Sequence, residues 1–115
     1  MALLTVQTPT VAGITPTYAA VSASDTFAAA SGHCYLIHVK NAGGSTDTVQ
    51  VDDPNSADPG AAVQFNPDLQ VSVTNGTERM FKVYPARHKN TSTGLVTITH
   101  SFTTSVTIGI FLVEN

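Results

Sequence analysis

Apolar residues alternate with threonine, serine and other polar residues, with a period of two, through most of this chain. Tyr35, Ile37 and Val39 share one face of a predicted strand that runs into the turn Asn41-Ala42-Gly43-Gly44, and Val49 and Val51 share a face beyond it. The same pattern returns in Leu69-Gln70-Val71-Ser72-Val73, in Leu95-Val96-Thr97-Ile98-Thr99 and in Val106-Thr107-Ile108-Gly109-Ile110-Phe111-Leu112-Val113. Alternation over such spans predicts half-buried strands, and their regular spacing predicts a sandwich or barrel. Wherever apolar residues approach helical spacing, a Gly, a Pro or a Thr/Ser cluster cuts across, so little helix is expected.

The remaining segments complete the layout. Residues 1–16 read as an extended arm, because Pro9 and Pro16 push Thr8 and Thr15 out of the helical region and apolar residues are sparse. Tyr18 to Val21 and Asp25-Thr26-Phe27 are short strands, the second with Phe27 pointing inward. A loop rich in turn formers follows from Asp52 to Gly60, then a short edge strand at Ala61 to Phe65. Asn75-Gly76 signals a type I′ turn joining Leu69–Val73 to Glu78–Tyr84. Pro85 to Thr93 is a basic loop, and Gly94 opens a last hairpin. The final strand is apolar on both faces, with Val106, Ile108, Ile110 and Leu112 on one and Gly109, Phe111 and Val113 on the other. Such a strand is central in its sheet or covered at an interface. The expected fold is an all-β, two-sheet β-sandwich, jelly-roll or immunoglobulin-like, of about eight antiparallel strands over residues 17–115, with an N-terminal arm over 1–16.

Composition agrees and narrows the functions. The chain has 115 residues, one domain's worth, and seventeen threonines stand against two glutamates and three lysines, which favours strand. Net charge is −3 with no basic stripe, which argues against nucleic-acid binding. No apolar run is long enough to span a membrane as a helix, and the N-terminus lacks the basic and apolar regions of a signal peptide. A single cysteine excludes an internal disulfide, so synthesis in a reducing cytoplasm is expected. Charged residues make up only 11% of the chain, against the about 25–35% typical of surfaces that resist association. Neighbours that cover much of the surface would account for that deficit, as would threonine standing in for charge.

Candidate chemistry is thin. His33, His38, His88, His100 and Cys34 show no zinc-site spacing, and the adjacent His33 and Cys34 would face opposite sides of a strand. Asp52, Asp53, Asn55 and Asp58 lack the order of the familiar calcium loop, and two prolines restrict their wrapping. No nucleophile elbow, phosphate loop or acid–base pair of glutamates is present. The expectation is a protein that is not an enzyme and takes no cofactor.

Several segments carry a resemblance. They are Thr8-Pro9-Thr10-Val11-Ala12-Gly13 with Tyr18-Ala19-Ala20, Asp25-Thr26-Phe27, and Leu36-Ile37-His38-Val39-Lys40-Asn41-Ala42-Gly43-Gly44. Val73-Thr74-Asn75-Gly76-Thr77-Glu78-Arg79 and Gly94-Leu95-Val96-Thr97-Ile98-Thr99-His100-Ser101 continue it, so it spans nearly the whole chain. In their order and spacing the chain resembles small head-decoration (capsid cement) proteins of tailed bacteriophages, particularly those infecting actinobacteria. The resemblance implies a virion structural protein, made in the host cytoplasm, that sits on the outer capsid surface and bridges capsid subunits. Its partners would be the major capsid protein and neighbouring copies of itself, a homotrimer among the arrangements open. Residues expected at a partner surface are Leu3, Leu4, Val6 and Val11 of the arm, Met80, Lys82 and Tyr84, and Phe111 and Val113 of the final strand. The alternatives are a phage tail or baseplate β-module and a carbohydrate-binding sandwich, which would use exposed aromatic rings. Trp is absent, leaving Tyr18, Tyr35 and Tyr84.

Overall fold

The structure, a computed structural model, describes residues 2–30, 32–53, 69–90 and 92–113. The strands are β1 (Ala2–Leu4), β2 (Val6–Gln7), β3 (Ala19–Ala20), β4 (Ser24–Ala28), β5 (Cys34–Asn41) and β6 (Asp47–Val51). After them come β7 (Leu69–Val73), β8 (Thr77–Val83), a single helical turn α1 (Pro85–His88), β9 (Leu95–His100) and β10 (Val106–Val113). One sheet runs β1-β4-β9-β6-β7 and the other β2-β10-β5-β8, with β3 also on β10. The two pack face to face as a β-sandwich, as the alternation requires. The expected edge strand at Ala61 to Phe65 lies outside the described residues.

The inward rows are those the pattern singled out. Tyr35, Ile37, Val39, Val106, Ile108 and Ile110 meet Phe27, Val49, Val51, Val73, Val96 and Ile98 from the opposite sheet, all buried. Phe27 and Tyr35 contact each other with ring centroids 5.3 Å apart. The final strand is central, flanked by β5 on one side and by β2 and β3 on the other.

The connections differ from the expected hairpins. Among the described residues, of successive strands from β4 onward only β6 and β7 pair directly, and every other step carries the chain to the opposite sheet. An immunoglobulin sandwich has several directly paired consecutive strands, whereas alternation between sheets is the habit of a jelly roll. The Asn75-Gly76 turn therefore bends the chain from one sheet into the other. Only Gly76 has positive φ there, and Thr77 N donates to Thr74 O at 3.0 Å, the pattern of a type II rather than a type I′ turn. The β5–β6 crossing is held by Asn41, whose Nδ2 donates to Ser45 O (2.7 Å) and Val73 O (2.9 Å) while its Oδ1 accepts from Gly43 N (2.9 Å). A Cβ on Gly43 would stand 2.3 Å from Thr104 O, so this position excludes a side chain.

Residues 2–7 are more than an arm. β1 pairs in parallel with β4, setting Leu4 beside Phe27, and β2 pairs in parallel with β10, setting Val6 beside Ile110. The chain thus crosses from the edge of one sheet to the edge of the other, and Leu4 and Val6 pack against the core. Sparse apolar content suggested an unanchored segment, but Leu4 and Val6 suffice because each fills a gap at a sheet edge.

Candidate functional site

The outer faces of the two sheets differ in chemistry. On the β1-β4-β9-β6-β7 side, register places Thr97, Thr99, Gln50, Gln70 and Ser72 outward, a mostly polar face, with exposed Leu3 beside buried Thr26 at its β1 edge. On the other sheet the outward rows are Gly109–His38–Met80 and Phe111–Leu36–Lys82, with Thr107–Lys40–Glu78 at one end. This second face is partly roofed by the segment between β2 and β3.

That roof is built from Tyr18. Gly109 leaves a slot in the central strand, and a Cβ there would stand 3.0 Å from Tyr18 Cε2 and 3.1 Å from Phe111 Cε2. The Tyr18 ring meets His38 and Phe111 edge-on, at centroid distances of 5.3 and 6.1 Å. The Lys40 ammonium lies 4.0 Å from the ring's centroid, a cation–π contact. Tyr18 Oη is 2.7 Å from His38 Nδ1, and His38 Nε2 is 3.0 Å from Glu78 Oε1. A neutral imidazole satisfies both contacts if its Nε2–H donates to Glu78 and its Nδ1 accepts from the Tyr18 hydroxyl. Burial, and secondarily the Glu78 carboxylate, raise the Tyr18 pKa above its ordinary 10.0. A raised pKa is the opposite of what an activated nucleophile needs, so the Tyr18–His38–Glu78 chain reads as a lock on the loop.

The loop is closed at its base by one side chain. Gln7 Nε2 donates to Thr17 O and Gln7 Oε1 accepts from Thr17 N, both at 2.8 Å, imitating a backbone ladder. Between these ends Thr10 O accepts from Gly13 N at 2.9 Å, turning the chain so that Val11 stands fully in solvent at the tip. Pro9, Ile14 and Pro16 face Leu36, Met80, Phe111 and Val113 across an open apolar cleft of about 280 Å³, with Tyr18 and His38 in its floor. A second cleft of about 250 Å³ lies on the other side of Tyr18, with Leu3 and Leu4 in its wall.

The expected partner residues are distributed accordingly. Met80, Phe111 and Val113 come together at the apolar cleft, where Met80 is 58% exposed and Phe111, beneath Tyr18, 8%. Leu3 and Val11 are exposed, whereas Leu4 and Val6 are committed to the core. Lys82 on β8 and Tyr84 just beyond its end are exposed, outside the cleft. Pro9, Ile14, Pro16 and Leu36 were not anticipated there; the glycine interrupting an otherwise bulky central strand was the available clue that something packs on that face.

The polar candidates separate. Cys34 is buried and free. His100 Nδ1 lies 2.7 Å from Asp47 Oδ2, both side chains being fully buried, and Asp47 Oδ1 also accepts from Ser101 N (3.0 Å) and Phe102 N (3.3 Å). The carboxylate thereby holds the turn after β9. Asp25 does a similar task by accepting from Ser22 N and Ser22 Oγ. Among the described residues no group of three or more His, Cys, Asp or Glu is placed to hold a metal ion, and no helix is long and apolar enough to cross a membrane. Asn55 and Asp58 of the acidic loop lie outside the described residues. No family model, curated protein or solved structure matches this chain.

Proposed function

We propose that this chain is a non-enzymatic virion structural protein that decorates the outer surface of a tailed-phage head and reinforces it by bridging capsid subunits. The observation that carries the reading is the asymmetry of the sandwich. One outer face is threonine- and glutamine-rich and suited to water, while the other presents an apolar cleft beneath a stapled loop ending in an exposed valine. An apolar cleft flanked by the exposed side chains of Val11, Ile14 and Met80 offers a partner a place to dock. The resemblance to head-decoration proteins supplies the partner, the major capsid protein. A modest contact repeated over many lattice positions gives strong overall attachment by multivalency. The low charge fraction fits a surface much of which is covered in use.

The test is binding to expanded, undecorated heads of the parent phage compared with free capsid subunits. The composite site exists only after assembly, so the protein should sediment with heads and not associate with subunits. Attachment should survive moderate salt, since few charges are available to be screened. Val11→Asp with Ile14→Asp should abolish sedimentation without unfolding the sandwich. Equal binding of the wild-type protein and this double variant, or no binding to heads, would remove the reading.

A further inference from the structure

Among the described residues, β8 is the outermost strand of its sheet, and nothing pairs with its free edge. It is seven residues long, without proline, and its residues from Thr77 to Met80 are exposed. Such an edge is a template for another strand. Its charges are arranged about its middle residue: Glu78 stands two positions before Met80 and Lys82 two positions after, all three on the outer face.

We infer that two copies of this chain pair antiparallel through β8, with the two-fold axis at Met80. In that register Met80 meets the partner's Met80, and Glu78 of each copy lies opposite Lys82 of the other. On the inner face Arg79 lies opposite the partner's Phe81, close enough for its guanidinium to cover a ring that is half-buried in the monomer. An antiparallel ladder centred on a residue closes whether that residue occupies a bonded or a non-bonded position, so the backbone imposes no obstacle. Directly opposed unlike charges favour a strand pair and like charges oppose it. A parallel in-register pairing would set Glu78 against Glu78 and Lys82 against Lys82. Sliding the antiparallel pair by two residues leaves at least one of these charges facing Met80. The Met80-centred register is therefore the one that matches both charges. Glu78 already contacts His38 through Oε1, which leaves its other oxygen for the partner's lysine.

The contact is isologous and closes as a dimer rather than a filament or a trimer. It also joins two apolar clefts across the paired Met80 side chains, doubling the docking surface on one side of the joined sheet.

Sedimentation equilibrium of the full chain, free of any capsid, tests this without depending on the decoration reading. The mass should rise with concentration from 12.0 kDa to about twice that value. Glu78→Lys alone and Lys82→Glu alone should each weaken self-association by about tenfold or more, because each sets like charges face to face at both ends. Mixing the two variants should restore dimers, now heterodimers, since each variant's altered pair complements the other's. A wild-type protein that stays monomeric, a dimer that both variants leave intact, or folded variants that fail to complement would overturn the inference. Should either variant fail to fold, amide exchange of the wild-type protein decides: protection in Thr77–Val83 must increase with concentration, and protection independent of concentration would also overturn it.

Discussion

Tyr18 lies over Gly109, filling the slot left by a missing side chain in the central strand: a Cβ there would stand 3.0 Å from Tyr18 Cε2. The contact joins the loop that precedes β3 to the middle of β10, and it roofs Phe111 and His38. Gly109→Ala should cost about 1–3 kcal/mol, because the aromatic rings must shift by a few tenths of an ångström. Gly109→Val should expel Tyr18 altogether. Limited proteolysis should then cut between residues 8 and 16 much faster than in the wild type, while circular dichroism stays strand-dominated.

The clasp formed by residues 2–7 should contribute to global stability. Leu4→Ala and Val6→Ala each remove a partly buried side chain next to Phe27 and Ile110, for about 1–3 kcal/mol apiece. Deleting residues 1–7 should lower the melting temperature clearly. An unchanged melting temperature would mean that the segment pairs too weakly to matter.

Asp47→Ala removes the acceptor for two backbone N–H groups and the partner of His100 in a site closed to water. Leaving the buried His100 ring and two part-buried N–H groups without their acceptor should cost about 3–5 kcal/mol, measured by denaturant unfolding. Asp47→Asn keeps the shape and one carbonyl acceptor, so it should cost less.

Alkaline pH should loosen the roof. The folded protein holds the Tyr18 phenol above its ordinary pKa of 10.0, by burial first and by the Glu78 carboxylate second. A raised folded pKa gives stability that is complete below the unfolded value and lost as pH rises through the folded one. Stability should therefore fall above about pH 10, and an ultraviolet titration should show one of the tyrosines ionising late. Glu78→Gln should bring that titration down; an unchanged curve would remove the carboxylate as a cause.

Much of this fold is legible in the period-two pattern. Leu69–Val73 and Val106–Val113 are strands over the expected residues, and the inward faces of β5 and β10 follow from Tyr35, Ile37, Val39 and Val106, Ile108, Ile110. What the pattern does not contain is which sheet the chain enters after a turn. Asn75-Gly76 bends the backbone, but only the core contacts of Val73 and Val83 decide that β7 and β8 lie in different sheets. The clasp was hidden for a related reason: two- and three-residue strands such as Val6-Gln7 carry too few positions to show a period. At the candidate site Met80 is readable from β8, and Phe111 and Val113 from β10, two strands with bulky residues on both faces. Ile14 and Pro16 were not, because their place there depends on Tyr18 reaching Gly109 and on Gln7 reaching Thr17.

A cryo-electron microscopy map of the parent phage particle would locate the protein on the virion and show which of its faces meets the shell. The map should show this sandwich on the outside of the head, with the loop from Pro9 to Pro16 and the cleft beside Met80 turned toward the shell. The threonine- and glutamine-rich face of the other sheet should be turned toward solvent. A head without the protein, or one in which the polar face meets the capsid and the cleft stands open to water, would contradict it.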